Sequence, residues 1–464
     1  MKFPQAVRAL LALLLCTLSC TLPAQGLDAA LQAIQTNPKA PLSSLSVLAI
    51  YDGKPVYVAH FGHRRMGATA PDPSTATDSK TLYRMASVSK LVTTLGAMRL
   101  VDAGRLDLDA DVGKYLGFKV RNPSFPEVPI TTRMLLSHTA SLRDGAGYVF
   151  GLDVALQDVL SPQGKQFGAG AAWAARSATA DLSPGRYFQY SNLSFGVVGT
   201  VLEAITGERF DVYMQRTVLQ PLGVRGAYTP EGLQQDDVDH LAALYRKGQD
   251  GAWNSAGPWV AQTDDWQGKL PPARAGLAAY VPGTNATGFG PQGGLRISVA
   301  GLGVMVQMLL NDGVLNVPAS WKKQAHAPVR FLSAAAVAAL QHTEWRYTPE
   351  SPNGDTLGGQ VYAWGLGMQR FTDTREAGPD GKARGDRLVA EGGVSGWGHA
   401  GLAYGLQSLF FYDPVKRIGL VYALGGSGVD PALHPGQFSG FKQWEEQIMA
   451  AVYQYANANA KTPP

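Results

Sequence analysis

The sequence predicts an α/β (α+β) fold in which both ends of the chain build one antiparallel sheet, with flanking helices and an inserted helical lobe. Residues 45–61 and 364–424 have the two-residue periodicity of strands, whereas residues 87–223 have mostly helical periodicity. The chain has 464 residues, 45% of them hydrophobic, which is enough to bury a large core. The expected sheet lobe comprises residues 25–86 and 295–464, and the expected helical and loop lobe comprises residues 87–294.

The N-terminal residues 1–24 are predicted to form an export signal peptide. Lys2 and Arg8 precede an apolar run over residues 9–18, and a short stretch then leads to Ala24, after which we expect cleavage. The apolar run is too short to span a bilayer as a helix. The segment therefore predicts a periplasmic or secreted protein with no membrane span.

Cysteine content and charge narrow the choice of function. The two cysteines, Cys16 and Cys20, lie in or next to the signal segment, so the cleaved chain would contain neither a thiol nor a disulfide. Lipid attachment at Cys20 is a minority alternative, because Thr17 stands where a lipoprotein signal usually has a large aliphatic residue. Without the two basic residues of the signal, 38 basic residues face 36 acidic ones, which does not favour a nucleic-acid partner.

A short amphipathic helix and a β-hairpin are the first elements expected after the signal. Apolar residues recur at helical spacing over residues 27–34. Two apolar strands, residues 45–51 and 56–61, are separated by an Asp-Gly turn that is typical of hairpins. A loop rich in Pro, Thr and Asp is expected from residue 67 to residue 80.

The middle of the chain is expected to be mostly helical. The apolar patterns predict one helix that begins just after Ser87, a second at residues 132–137, and a third at residues 194–205 that ends before Gly207. Residues 225–294 are rich in Gly, Pro and Asp and show no clear periodicity, so we expect long loops beside a cleft.

The last third of the chain returns to the strand pattern. Ser298 is expected to cap a helix that runs to about residue 311. Strand-like segments follow at residues 364–371, 401–412 and 418–424. Residues 441–455 are expected to form a closing helix.

A serine and a lysine three residues apart provide a candidate nucleophile and its activating amine. Ser87 and Lys90 stand at the predicted start of a helix, where they would lie one turn apart on the same face. A serine hydroxyl needs a base within hydrogen-bonding reach, and lysine can serve when burial lowers its pKa. The spacing alone is not decisive, because residues 320–323 and 439–442 repeat it.

A tyrosine and a histidine extend the candidate catalytic set. Tyr190 stands at a loop-to-helix junction and can act as a base when nearby cations stabilise its phenolate. His399, expected just before a strand, is the candidate second cation or donor. Tyr455 repeats the tyrosine pattern, and His60 and His434 repeat the histidine pattern. Taken alone, each residue is equally well explained as a core, capping or strand-end side chain.

Several short patterns resemble cofactor or metal motifs, but the residues around them do not support such a site. Residues 288–293 spell a dinucleotide-binding glycine pattern, but no apolar strand precedes them and Pro291 lacks a backbone N–H. The aspartates in residues 107–111 lack the glutamate of a calcium loop, and His60 and His63 have no cluster of ligands beside them. We therefore assign no cofactor and no metal. The chain also lacks a Gly-x-Ser-x-Gly nucleophile elbow.

The order of the motifs resembles that of the penicillin-recognising serine hydrolases with a β-lactamase/transpeptidase-like fold. The shared order is Ser87-x-x-Lys90, Tyr190-x-Asn192 and His399-x-Gly401. The branch that it resembles contains class C β-lactamases, D-alanyl-D-alanine carboxypeptidases, D-aminopeptidases and β-lactamase-fold esterases. Similar surroundings occur at residues 104–112, 130–139, 190–207, 293–295 and 412–414, so the resemblance covers most of residues 45–425.

The resemblance implies an acyl-enzyme mechanism without a metal or an organic cofactor. Ser87 would be the nucleophile, Lys90 would assist proton transfer, and Tyr190 would be the general base and then the acid for the leaving group. Backbone N–H groups of Ser87 and Leu402 would form the oxyanion hole. The implied substrate-binding residues are Asn192, which would also orient the lysine, with His399, Gly401 and Leu402.

The third motif differs from the Lys-Thr-Gly of class C β-lactamases. Ala400 lacks the hydroxyl that helps to hold a substrate carboxylate, and His399 would be charged only part of the time near neutral pH. His-x-Gly is common among the esterases and peptidases that the chain resembles. The sequence therefore favours an exported serine hydrolase acting on an ester or amide. If His399 must be protonated, activity should fall as the pH rises through the histidine range.

Three alternatives stay open. A D-amino-acid peptidase or carboxypeptidase and a class C-like β-lactamase would use the same residues. A covalent penicillin-binding sensor would be acylated on Ser87 but would turn over little. The expected partner is a small-molecule ester or amide or a peptide, and not a nucleic acid.

Overall fold

The computed structural model describes residues 24–67, 74–249, 251–315, 328–378 and 380–459. The α-helices are α1 (Ala24–Gln35), α2 (Val88–Asp102), α3 (Gly113–Leu116), α4 (Thr132–Leu136), α5 (Leu156–Leu160), α6 (Asn192–Thr206), α7 (Phe210–Met214), α8 (Gln235–Asp239), α9 (Val299–Leu310), α10 (Ala334–Leu340) and α11 (Gln443–Asn459). The strands are β1 (Ser44–Tyr51), β2 (Lys54–Arg65), β3 (Thr75–Ala76), β4 (Tyr83–Arg84), β5 (Gly226–Ala227), β6 (Leu244–Gln249), β7 (Ala252–Trp253), β8 (Trp259–Thr263), β9 (Arg296–Ile297), β10 (Val314–Leu315), β11 (Val329–Arg330), β12 (Trp345–Arg346), β13 (Ala363–Trp364), β14 (Gln369–Phe371), β15 (Glu376–Ala377), β16 (Ala383–Arg384), β17 (Gly396–Ala403), β18 (Leu406–Asp413), β19 (Ile418–Leu424) and β20 (Gly426–Ser427).

One antiparallel sheet takes strands from both ends of the chain. Among the described residues its order is β12-β13-β14-β17-β18-β19-β1-β2-β3. β1 pairs on one side with β2, its neighbour in sequence, and on the other side with β19, so that Leu45 lies opposite Leu424. The predicted fold class, with a sheet built from both chain ends, is confirmed.

Helices cover both faces of this sheet, and its central strands are therefore buried on both sides. Val47 and Ala49 of β1 belong to a core that α1 and α11 complete, whereas Leu48 and Ile50 belong to the larger core beneath α9 and α2. A strand that is covered on both faces does not alternate between buried and solvent-exposed residues. Accordingly, β1, β18 and β19 are buried along nearly their whole length.

The larger core continues into the helical part of the chain and fixes the helices that matter for function. α2 is buried on almost every side and contacts α6 and β17. A helix without a polar face is stable only inside a protein. The start of α2 is therefore held rigidly between the sheet and the helical region.

Most predicted elements are confirmed, with small shifts at their ends. The hairpin is β1 and β2, and the closing helix is α11. The Ser298 hydroxyl accepts a hydrogen bond from the Gly301 N–H and caps α9 as expected. Gly207 ends α6 in the left-handed conformation, with φ of 73°.

Three predictions are wrong in detail. Residues 401–412 are not one strand, because β17 and β18 turn at Tyr404 and Gly405, whose φ values are 57° and 88°. Residues 364–371 are likewise split into β13 and β14, which pair with each other. The stretch predicted as loops, residues 225–294, contains a small sheet in which β6 pairs with β7 and β8.

Some predictions fall outside the described residues. These are residues 1–23 of the signal peptide, residues 68–73 of the predicted loop, and the serine-lysine repeat at residues 320–323. Within the described ranges, no helix combines the length and apolar character needed to cross a membrane. The bounds of the two lobes stay a prediction.

Candidate active site

Ser87 lies at the entrance of α2, where the chain turns sharply out of β4. Ala86, the preceding residue, has φ of 46°, a conformation that residues with a side chain rarely adopt. The Met85 N–H donates to the Leu295 carbonyl at 2.8 Å and ties this turn to the segment that leads into β9. As a result Ser87 is partly exposed, while Lys90, one turn later, is completely buried.

Three oxygen atoms surround the Lys90 amine. Its Nζ lies 3.2 Å from Ser87 Oγ. It also donates to Asn192 Oδ1 and to the Gln292 carbonyl, each at 2.8 Å. The structure thus brings together the predicted nucleophile, the predicted amine and the predicted asparagine.

Burial makes Lys90 a weak base. Loss of water around the amine lowers the pKa of Lys90 from 10.5 to about 7, and the charge of Asp144 opposes this shift only in part. A large fraction of the amine is therefore neutral near pH 7. A neutral amine can take a proton from a serine hydroxyl, which an ammonium group cannot do.

Tyr190 lies two residues before α6, and its phenol lies close enough to the Ser87 side chain to interact with it. Its ring stacks on His138, with 4.3 Å between ring centroids, and meets the edge of Trp364 at 5.8 Å. The Lys90 amine lies 4.8 Å from the centre of the tyrosine ring. Burial among these groups raises the pKa of Tyr190 above its usual value, so the phenol stays protonated near neutral pH.

Asn192 is the first residue of α6, and both ends of its amide are held. Its Nδ2 donates to Asp144 Oδ2 at 2.9 Å, while its Oδ1 accepts from the Lys90 amine at 2.8 Å. A reversed amide would place donor against donor at the lysine and acceptor against acceptor at the aspartate. These two partners therefore determine the orientation of the amide.

His399 lies inside β17, which corrects the prediction that it precedes a strand. It is 3% exposed, and its Nδ1–H donates to the Ala400 carbonyl at 2.6 Å. Its ring meets Trp364 edge-on, with 5.2 Å between centroids. Burial, together with the charge of Lys90, lowers the pKa of His399 to about 3. The histidine is therefore neutral near pH 7, which does not fit the cation alternative of its predicted role, and the donor alternative stays a prediction.

The absence of a side chain at Gly401 allows β17 to approach the Ser87 turn. A Cβ atom at this position would lie 2.6 Å from the Met85 carbonyl oxygen and would also strike Ser408 Oγ. Leu402, the next residue, is 65% exposed beside this contact. The two N–H groups of the predicted oxyanion hole, those of Ser87 and Leu402, therefore belong to two segments that contact each other. The oxyanion hole itself stays a prediction.

The described copies of the competing motifs lie in other surroundings. Ser439 donates to Glu446 at 2.8 Å next to α11, and Tyr455 packs on Tyr57. His60 shares a hydrogen bond with Ser46, and His434 packs against Trp444. Each of these side chains has a structural role that accounts for it.

Sequence reasoning missed several neighbours of the site. Gln292 contributes a backbone carbonyl, which a residue of any type can supply, so no side-chain signal existed. His138 lies within residues 130–139, one of the stretches that carried the resemblance, and Trp364 was assigned only to a strand. Asp144 is 48 residues before Asn192, and no pattern linked the two.

A family model and curated relatives match this chain. The family model described as Beta-lactamase matches residues 27–434. Esterase EstB from Burkholderia gladioli is 34% identical over 183 residues, which make up 36% of this chain and 43% of the esterase. The D-alanyl-D-alanine-carboxypeptidase/endopeptidase AmpH from Escherichia coli K12 is 27% identical over 169 residues, 36% of this chain and 42% of that protein. The matches span less than half the length of these relatives.

Solved structures extend the similarity over nearly the whole chain. The D-amino acid amidase from Ochrobactrum anthropi SV3 has a TM-score of 0.59 at 16% identity and covers 93% of this chain and 99% of its own. EstCE1, a hydrolase with promiscuous acyltransferase activity, has a TM-score of 0.56 at 23% identity, with the same coverage of 93% and 99%. At these identities the comparison shows a shared fold only.

Proposed function

Since the chain belongs to the beta-lactamase family of serine hydrolases, we propose that it cleaves uncharged esters through an acyl-enzyme formed on Ser87. Family membership confirms the resemblance and the fold predicted from the sequence. The observation that carries the proposal is the convergence of the Ser87 hydroxyl, the Lys90 amine and the Tyr190 phenol at one partly exposed point.

Lys90 is the proposed base for Ser87. A neutral amine has two hydrogens and one lone pair. Its two hydrogens go to the oxygen atoms of Asn192 and Gln292, so the lone pair is left for the Ser87 hydroxyl. The buried amine needs no further partner in this arrangement.

Tyr190 is proposed as an acid instead of the general base expected from the sequence. A tyrosine acts as a base when neighbouring cations stabilise its phenolate. Here His399 is neutral and Lys90 is only a weak base, so that support is lacking. A protonated phenol beside Ser87 is instead suited to donate a proton to the leaving group.

The proposed reaction has two steps. Ser87 Oγ attacks the ester carbonyl while Lys90 takes the hydroxyl proton, and the N–H groups of Ser87 and Leu402 hold the oxyanion. The bond to the alcohol then breaks as Tyr190 protonates the departing oxygen and regains a proton from Lys90. Water then attacks the acyl-enzyme while Lys90 takes its proton. Tyr190 protonates Ser87 Oγ as the acid leaves and again regains a proton from Lys90, which restores the Ser87 hydroxyl.

The strand beside the nucleophile favours a substrate without a carboxylate. His399 carries no charge near pH 7, and Ala400 has no hydroxyl. Neither residue offers a strong partner to the carboxylate of a penicillin or of a D-alanine-terminated peptide. The similarity to an esterase at 34% identity supports the same choice.

Pre-steady-state kinetics with p-nitrophenyl butyrate test the proposal. We expect a burst of p-nitrophenol followed by steady turnover, and Ser87→Ala should abolish both because the acyl-enzyme cannot form. Benzylpenicillin and a D-Ala-D-Ala peptide should turn over far more slowly. Ser439→Ala is the matched control, since it removes the serine of a repeated motif and should keep the burst.

Other outcomes would indicate a different nucleophile or a different activity. Loss of the burst in Ser439→Ala with retention in Ser87→Ala would overturn the site assignment. Faster turnover of the D-peptide or of benzylpenicillin than of the ester would favour a peptidase or a β-lactamase. A burst that stops at one equivalent would favour a covalent sensor.

We also propose that the protein is exported and acts in the periplasm or outside the cell. The support is the order of basic residues, apolar run and small residues before Ala24.

A further inference from the structure

We propose that Asp144 is a positioning residue that orients Asn192 toward Lys90 and thereby sets the geometry of the base. The inference rests on the proposed function, and it assigns a role to a residue with no recognisable motif. Asp144 acts through Asn192, because its hydrogen bonds go to the start of α6 and not to Lys90 or Ser87.

Both carboxylate oxygens of Asp144 close the N-terminus of α6. Oδ1 accepts from the Ser191 hydroxyl and from the Leu193 N–H, each at 3.0 Å. Oδ2 accepts from the Asn192 N–H at 3.0 Å and from the Asn192 side-chain amide at 2.9 Å. A negative charge is also favourable at a helix N-terminus. One side chain therefore fixes three consecutive residues.

The bond to the Asn192 side chain links Asp144 to the base. With Nδ2 committed to Asp144, Oδ1 must face the Lys90 amine. Without that commitment the amide can rotate and present its NH₂ group to the lysine, which would then lose an acceptor. A displacement of about 1 Å in a catalytic group can cost roughly a hundredfold in rate.

The loop that carries Asp144 also holds the tyrosine. His138 Nδ1 accepts from the Ser191 N–H at 3.1 Å, and its ring stacks on Tyr190. His138 and Ser141 have φ values of 57° and 56°, conformations that persist only where the surroundings hold them. Residues 138–144 therefore form a constrained segment that positions both sides of the Tyr190–Asn192 junction.

Asp144 is also the charged group that acts on Lys90. In the part of the chain that the structure describes, the other titratable groups that face the amine are Tyr190, His138 and His399, and burial keeps all three neutral near pH 7. The negative charge of Asp144 raises the pKa of Lys90. Removing that charge should therefore move the titration of the base to lower pH, which loss of a purely structural contact would not do.

The pH dependence of kcat in Asp144→Asn tests the inference with p-nitrophenyl butyrate as substrate. We expect kcat to fall roughly a hundredfold, and the acidic limb of the profile to move to lower pH. A double-mutant cycle tests the route: in an Asn192→Ala background, Asp144→Ala should cost little further kcat, because the amide that it orients is already gone.

Asp386→Asn is the matched control. Asp386 is a buried carboxylate that accepts from the Thr372 N–H at 2.6 Å and the Thr374 N–H at 2.8 Å, in another part of the chain. This variant should lower the thermal midpoint and leave the acidic limb in place. If Asp144→Asn behaves like Asp386→Asn, or if the two losses in the cycle simply add, the positioning role is overturned.

A second variant covers the case in which Asp144→Asn does not fold. Asp144→Glu keeps the charge at the helix N-terminus but is longer, so kcat should fall while the acidic limb stays at the wild-type pH. Full kcat in a folded Glu variant would contradict the inference. Activity that survives Ser87→Ala would instead overturn the proposed function, which separates the two failures.

Discussion

Lys90 combines complete burial with three oxygen neighbours, so the pH dependence of hydrolysis reports on the base. The lysine must be neutral to accept the Ser87 proton, and its pKa is lowered to about 7. We therefore expect kcat/KM to rise with pH through about 7 and to level off above it. Tyr190→Phe should reduce the rate by roughly 10²- to 10⁴-fold without moving this limb, because the limb belongs to the lysine.

Whether activity rises or falls with pH distinguishes the mechanism proposed from the structure from the one expected from the sequence. A protonated His399 would make activity fall as the pH rises through the histidine range, but its pKa is lowered to about 3. His399→Asn serves as the control and should leave the rising limb in place. A falling limb would show that a protonated His399 is required, and a rising limb that vanishes in Tyr190→Phe would show that the phenol is the base.

At the residue scale, the site residues could be identified from the sequence, but their protonation states could not. Ser87, Lys90, Tyr190 and Asn192 follow from motif order, and the structure brings them together. Their pKa values depend on burial by parts of the chain that are distant in sequence, such as Trp364. No local pattern encodes that burial.

At the element scale, the contact between β17 and the start of α2 depends on Gly401. In Gly401→Ala the new Cβ atom would lie 2.6 Å from the Met85 carbonyl oxygen, a backbone atom that can yield only if the Ser87 turn moves. We expect roughly a hundredfold loss of kcat/KM. The loss of stability should be about 1–3 kcal/mol, as is typical of overpacking. Ester hydrolysis and thermal unfolding of the same preparation measure the two effects.

Gly396→Ala separates damage to the sheet from damage to the site. Gly396 begins the same strand, and a Cβ there would strike the Tyr412 carbonyl oxygen and lie 2.6 Å from the Phe411 ring, away from Met85. This variant should lose comparable stability and keep most of its activity. Equal losses of activity in both variants would mean that β17 does not position the Ser87 turn.

Elements with a long and regular pattern were predictable, and short ones were not. The β1–β2 hairpin and α9 follow from apolar periodicity, an Asp-Gly turn and a serine cap. The turn between β17 and β18 was not found, because Tyr404 adopts a left-handed conformation that its residue type does not signal. The small sheet around β6 was hidden by a high content of glycine and proline.

At the scale of the whole molecule, the two chain ends meet. α1 packs on α11, and both cover the face of the sheet in which β1 pairs with β19. Periodicity indicated strands at both ends, but the pairing of Leu45 with Leu424 is a long-range contact without a local signature. The order of the strands therefore came from the structure alone.

This arrangement predicts how much of the N-terminus can be removed. Leu27 and Leu31 of α1 are fully buried against the sheet and α11, whereas α1 begins at Ala24, the proposed cleavage site. Protein recovered from the periplasm or medium should therefore begin at Gln25 by mass spectrometry. Its thermal midpoint and its rate of ester hydrolysis should equal those of the full chain.

A chain that lacks residues 1–35 should be strongly destabilised, since loss of each buried leucine costs about 2–5 kcal/mol. Leu31→Ala in the cleaved chain is the control and should cause an intermediate loss. A mature N-terminus inside α1, or retention of the intact chain in the cytoplasm, would contradict export with cleavage at Ala24.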